Sequence, residues 1–318
     1  MKALVYDAYG PPEGVRLADL PIPEPDAGEV RIRVAYAGVN PIDWKIGEGR
    51  LSAQINTGFP MVLGREISGT IDCVGDGCRD FSAGDHVFAS LDRPGGGFAE
   101  YAVVPERNVA KAPGTLSPRE AAAIPLTSLA SWQALVETAE LAADETVFVL
   151  SGAGGTGSFA IQLAKSRRAR VVTTCSAKNR EFVSSLGADK VVDYASPNPI
   201  ACIRAACPGG LDTVFSNALG DLHRRSYELL RPGGMIVTIG EPPIGGAAEC
   251  LGVREVDLVV RPDGQALSAI AWLIDRGEIR PPPVREFRLE DAAHAFRASM
   301  TGHVRGKIVL SIGKALLH

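Results

Sequence analysis

The stretch VFVLSGAGGTGSFAIQLAKS, residues 147–166, decides the fold class. An apolar, β-branched run meets a knot of glycines and continues into an amphipathic run with helical periodicity. Gly152, Gly154 and Gly157 are spaced G-x-G-x-x-G. The first suits a turn of unusual φ, the second lets the backbone approach a pyrophosphate, and the third lets helix and strand pack closely. A helix opening near Gly155, with Thr156 in its first turn, presents unpaired N–H groups and the positive end of its dipole to phosphate. The spacing alone is weak evidence; between a strand and a helix it reads as a dinucleotide site. No Gly-Lys-Ser/Thr follows, which excludes a nucleoside-triphosphate loop.

Outward from this turn, strands and helices alternate. TVFVL, RVVTTC, KVVDY, DTVFSN and GMIVTIG read as strands, and helices are predicted over 156–166, 178–186, 198–206 and 221–230. The alternation predicts an α/β domain over 119–264, a doubly wound parallel sheet with helices on both faces. VREVDLVV, 253–260, reads as one more strand, open at its edge, from which a homodimer is expected. Before Ser117 the texture differs: short β-branched runs separated by GPPEG, GDGC and RPGGG predict an antiparallel barrel or sandwich. Ser117 itself is an N-cap with Pro118 at the first helical position. The tail mixes helix and strand and is expected to rejoin the first domain. That gives 1–118 with 265–318 as one domain and 119–264 as the other.

The 318 residues, 46% hydrophobic and 22% charged, make an ordinary globular chain long enough for two cores. A net charge of −4 leaves no electrostatic footprint for nucleic acid or an anionic membrane. No apolar run approaches the about 18 residues of a membrane span. MKALVYDAYGPPEG turns polar too early for a signal peptide, so the cytoplasm is the expected compartment. The cysteines, at 73, 78, 175, 202, 207 and 250, include two C-x4-C pairs but no C-x2-C, so neither a metal site nor a disulfide framework is expected. His86, His223, His294, His303 and His318 form no spaced cluster.

An NAD site places Asp or Glu about twenty residues past the glycines, against the ribose 2′-hydroxyl. Here the run is VVTTCSAKNRE: Cys175 and Ser176 end the strand, and no carboxylate follows until Glu181. Ser176, Lys178, Asn179 and Arg180 offer a hydroxyl, an amide and two cations to a 2′-phosphate, so NADP(H) is expected over NAD. Either cation alone would read as a solvated helix start.

AGVNPIDWK (37–45), PMVLGREISGTI (60–71), GDHVFA (84–89), GGFAEYAVVP (96–105), SGAGGTG (151–157), LGADKVVDY (186–194), LLRPGGMIVTIG (229–240) and GKIVLSI (306–312) follow in order along the chain. Together they resemble the medium-chain dehydrogenase/reductase superfamily, in its zinc-free, zeta-crystallin-like quinone oxidoreductase branch. The resemblance implies a GroES-like β-rich substrate domain, a Rossmann cofactor domain inserted near its C-terminal end, and a cofactor in the cleft between them. Zinc enzymes of the superfamily use a Cys, a Gly-His-Glu and a further Cys or Asp. Gly38-Val39-Asn40 and Gly64-Arg65-Glu66 stand in the first two places here, and SLDRPGGGFAEY (90–101) replaces the four-cysteine lobe, so no metal is expected. Without a Lewis acid, a suitable acceptor is one that spreads the charge of an arriving hydride onto its own oxygen, a quinone or an α,β-unsaturated carbonyl. The expected activity is NADPH-dependent reduction of such small molecules. A metal-free carbonyl or alcohol oxidoreductase, a biosynthetic enoyl reductase and a non-catalytic NADPH-binding protein stay open.

The same resemblance sets Asn40 beside the nicotinamide, bonding a ribose hydroxyl or polarising the substrate oxygen, with Asp43 as its orienting partner; both residues also suit ordinary turn chemistry. Lys45 stands where relatives often carry a tyrosine, and Leu51 where they carry a second. Lys45 is a candidate to stabilise an enolate or supply a proton, although exposure is the commoner fate of lysine. Trp44 is open between pocket lining and core packing. Ala130 replaces the threonine that approaches the nicotinamide, and Thr127, one turn earlier, is the candidate substitute. Tyr194 is assigned to the adenosine-phosphate side, Asn217 and Gly240 to strand ends at the switch-point edge, and Lys307 to closure over the cofactor. Segments 44–60 and 241–255 carry no motif that reads out the substrate.

Overall fold

The β-branched runs before Ser117 become eight strands: β1 (Lys2–Tyr6), β2 (Val15–Asp19), β3 (Glu29–Val39), β4 (Met61–Val62), β5 (Glu66–Val74), β6 (His86–Ser90), β7 (Tyr101–Pro105) and β8 (Val109–Lys111). In this computed structural model, residues 1–55, 58–218, 220–240 and 244–312 are described. Residues 56–57 and 241–243 of the two motif-poor segments, and His318, lie outside them. Burial alternates along β3, with Val30, Ile32 and Val34 turned into the core, as a half-covered sheet requires. NPIDWK, which also suits a turn, opens a helix instead: α1 (Pro41–Gly47) starts at Pro41, where the missing N–H costs nothing.

Ser117 caps α2 (Pro118–Ala121): its hydroxyl accepts from Glu120 N–H and the Glu120 carboxylate accepts from Ser117 N–H. Next comes α3 (Pro125–Trp132), prolonged by a π-helical stretch, Gln133–Thr138. The alternating region then gives β9 (Thr146–Val149), α4 (Gly155–Ser166), β10 (Arg170–Cys175), α5 (Arg180–Ser185), β11 (Lys190–Asp193), α6 (Pro199–Ala206), β12 (Leu211–Ser216), α7 (Asp221–Ser226), β13 (Leu230–Thr238), α8 (Ala247–Leu251) and β14 (Arg254–Asp257). Two predicted helices are shorter than expected. A 3-10 turn over Ala177–Asn179 precedes α5, and another over Tyr227–Leu229 follows α7. The strand expected over 253–260 is confined to β14.

The six strands are parallel in the order β11-β10-β9-β12-β13-β14, a doubly wound sheet whose order reverses between β9 and β12. Val147, Val149, Val171 and Phe215 pack into one core and Phe148, Val172, Val214 and Ile236 into another, so both faces are covered.

The chain then runs through α9 (Gly264–Asp275), β15 (Val284–Arg288), α10 (Ala292–Met300) and β16 (Lys307–Ser311). β16 inserts beside β3, with Ile308 opposite Val39, and completes a sheet ordered β15-β16-β3-β5-β6-β8, with β7 also on β3. β15 and β16 run parallel, a departure from the expected antiparallel pattern, because α10 supplies the crossover that parallel neighbours need.

Two units result. The first holds Met1–Leu126, Arg261–Gly277 and the described residues from Pro281 onward; the second holds Thr127–Val260 and Glu278–Arg280. The changeovers fall at 126/127 and 260/261 rather than 118/119 and 264/265. The segment after Ser117 stays with the first unit because the Ser68 hydroxyl donates to Pro118 O and Leu126 N–H donates to the Glu66 carboxylate. Among the described residues, no helix is long and apolar enough to cross a membrane.

Candidate active site

In the second unit the glycine turn joins β9 to α4. A Cβ on Gly152 would lie 2.3 Å from Thr173 Oγ1, and one on Gly157 would lie 2.2 Å from Ser151 O, so packing alone demands glycine at both. Gly154 differs: a Cβ there would find nothing nearer than Ser151 O at 3.5 Å. Its bare backbone faces open space, and as the N-cap of α4 it brings no side chain to the first-turn N–H groups of Gly155, Thr156 and Gly157. Behind the turn, the Ser131 hydroxyl bonds Thr127 O at 3.0 Å and Thr156 O at 3.1 Å, tying α3 to the start of α4; Thr127 and Ala130 are buried on α3. At the ends of the neighbouring strands, Asn217 keeps Oδ1 buried with no hydrogen-bond partner among the described residues, and Gly240 takes φ +90° with no described atom within 4 Å of where a Cβ would stand. A helix start with no capping side chain and a buried amide oxygen with no donor among the described residues fit the phosphates and amide of a nicotinamide dinucleotide.

The loop after β10 gathers four predicted residues. Cys175 is buried, and burial pushes its thiol pKa up. Ser176 Oγ accepts from Asn179 Nδ2 at 3.3 Å, so the Asn179 amide turns inward, and the Arg180 guanidinium donates to Val191 O at 3.1 Å on β11. Lys178 is exposed on the same turn, and the exposed Tyr194 donates its N–H to Cys175 O at 3.3 Å.

The first unit holds a buried polar cluster. Asn40, the N-cap of α1 just past β3, donates its backbone N–H to Asp43 Oδ2 at 2.7 Å and its Nδ2 to Glu66 Oε1 at 2.8 Å. Lys307 Nζ donates to Val39 O at 3.2 Å, to Asn40 Oδ1 at 2.5 Å and to Glu66 Oε1 at 2.5 Å. Glu66 Oε2 accepts Leu126 N–H at 2.7 Å. The Lys307 and Glu66 side chains are 5% and 0% exposed. One correction follows. Lys307 does not close over a ligand: it is buried in β16, and its ammonium spends all three donors inside the cluster. Lys45 is half-buried on α1 with its ammonium 5.8 Å from the centroid of the Trp44 ring; Trp44 is itself buried and bonded to Ser299. The residue missed from sequence is Glu66. Its signal was a carboxylate at the head of an apolar strand, which needs a buried cation.

Residues 26–114 match the alcohol dehydrogenase GroES-like domain family, and residues 186–310 match the zinc-binding dehydrogenase family. The chain is 33% identical to the chloroplast envelope quinone oxidoreductase homolog of Arabidopsis thaliana, over 98% of each. It is 32% identical to the chloroplastic NADPH-dependent alkenal/one oxidoreductase of the same plant, over 98% of this chain and 79% of that one. The solved quinone oxidoreductase of Coxiella burnetii superposes with a TM-score of 0.87 at 30% identity, over 98% of this chain and 99% of that one. This chain belongs to the medium-chain dehydrogenase/reductase superfamily, in its quinone oxidoreductase-like branch.

The zinc in the name of one matching family finds no fit in this chain. Where the zinc enzymes place histidine, Arg65 is buried and donates Nε to Leu91 O at 3.2 Å. The adjoining Glu66 is committed to Lys307, Asn40 and Leu126. An ammonium and a guanidinium beside one engaged carboxylate repel a dication. Among the described residues, no three His, Cys, Asp or Glu side chains group as a metal site.

Proposed function

We propose that this medium-chain reductase transfers hydride from NADPH to a quinone or an α,β-unsaturated carbonyl without a metal ion. The observation that carries the cofactor reading is the loop after β10. An acid would select the NAD ribose at its start, but buried Cys175 stands there, followed by Ser176, Lys178 and Arg180. The acceptor reading draws on the quinone and alkenal/one oxidoreductases among the relatives and on the second Nδ2–H of Asn40 in the first-unit cluster as a hydrogen-bond donor. When bound, the nicotinamide supplies the hydride; a proton completes the reduction. In this reading Gly154–Gly157 hold the pyrophosphate, Asn217 accepts from an amide, Ser176 and Lys178 meet the 2′-phosphate, and Asn40 donates to the acceptor's oxygen as charge develops there.

The deciding experiment compares NADPH with NADH across quinones, enones and the matching saturated ketones, before and after chelation. The expected result is a preference for NADPH of about tenfold or more in kcat/KM. Turnover should be confined to quinones and unsaturated acceptors, and chelator should not change the rate. A panel giving no turnover above blank ends the reading. We also infer a homodimer formed by continuation of the sheet at β14, which among the described residues has one strand neighbour, β13; a monomer mass by light scattering removes that inference.

A further inference from the structure

We propose that Glu66 and Lys307 clamp the Asn40 side-chain amide in one orientation, so that its uncommitted Nδ2–H is the donor offered to an acceptor oxygen. The two residues are positioning residues, and the proposal rests on the reading above that Asn40 meets the substrate. The two ends of an asparagine amide are nearly alike in size, and shape alone would let it flip. Here charge forbids the flip. Turned over, Nδ2 would face the Lys307 ammonium, donor against donor, and Oδ1 would face Glu66 Oε1, acceptor against acceptor. Both partners are buried, so water cannot relieve either clash. The main chain is pinned as well, since the Asp43 carboxylate holds Asn40 N–H at 2.7 Å.

Glycine gives the clamp its room. Gly38 lies two residues before Asn40 on β3, and a Cβ there would come within 2.3 Å of Glu66 Oε1. Neither clamp residue has a donor left for chemistry. The Lys307 ammonium is spent on three acceptors, and Glu66 carries none when ionised. Among the Asn40, Glu66 and Lys307 side chains, what remains is the second proton on Asn40 Nδ2, next to its bond to Glu66.

The test uses the whole protein with 15N-labelled asparagine, the Glu66→Gln/Lys307→Met double variant, which removes the charges as a pair, and Lys307→Arg as the conservative substitution. In the wild type without cofactor, the Asn40 side-chain amide protons should exchange with solvent at least about tenfold more slowly than those of an exposed asparagine. The double variant should lose that protection. With cofactor and enone, the folded double variant should lose kcat by about tenfold or more, with KM for NADPH within about threefold of wild type, and Lys307→Arg should recover most of the loss. Solvent-rate exchange of the Asn40 amide in the wild type overturns the clamp whatever the variants do. So does wild-type kcat in the folded double variant. If the wild type turns over no acceptor, the functional reading fails on its own while the exchange measurement still decides the clamp.

Discussion

Asp43 is wholly buried, with Oδ2 on the Asn40 N–H and Oδ1 without a hydrogen-bond partner. Burial raises its pKa from 3.8 to about 7, against the lowering pull of that N–H, Lys307 and Arg65. The native state therefore holds a proton that the unfolded chain has released. The sign follows: stability from this group falls as pH rises from about 4 to about 7 and is flat above. Asp43→Asn should remove that decline, so urea melts at pH 5 and pH 8 should differ by on the order of a few kcal/mol less in the variant than in the wild type. At the glycine turn two substitutions should separate. Gly157→Ala forces a Cβ onto Ser151 O and should lower Tm as well as cofactor affinity. Gly154→Ala meets ordinary contact, so it should leave Tm within a degree or so yet weaken NADPH binding by about tenfold in calorimetry, because the added methyl occupies the space a phosphate needs.

Among the elements, those with local signals were legible. Ser117 and Pro118 announced α2, and Ser117→Ala should cost about 1 kcal/mol in denaturant melts, since Glu120 N–H loses its acceptor and the Glu120 carboxylate loses the Ser117 hydroxyl. The alternation of β-branched runs and amphipathic segments gave the parallel strands, because burial on both faces leaves continuous apolar runs. Asn-Pro-Ile-Asp concealed α1, since a proline that starts a helix also starts a turn. In the loop after β10, Lys178 is exposed on the turn that follows the strand, so its charge should contribute to selectivity. Lys178→Glu should raise the Kd for NADPH by about tenfold or more, with NADH changed much less, in parallel fluorescence titrations.

At the scale of the whole molecule, sequence distance separates what was legible from what was not. The glycine turn is one contiguous stretch, whereas the Glu66–Lys307 pair joins residues 241 positions apart, and no local spacing reveals such a bond. Lys307 was legible as a residue of note in GKIVL, but its partner, and so its role, was not. Lys307→Met alone, by leaving Glu66 buried without its cation, should destabilise the fold by about 3–5 kcal/mol, more than removal of both charges together. The inserted arrangement of the units has a consequence for biosynthesis. The second unit is nearly contiguous and can condense while translation continues, but the first must wait for β16, its bridge between β3 and β15. Until that strand emerges, the Tyr36–Val39 end of β3 shows a bare edge and Glu66 lacks its Lys307 counter-ion. The nascent polypeptide thus holds a completed parallel sheet while the sheet around β3 is unfinished, and chaperone dependence should last until β16 has docked.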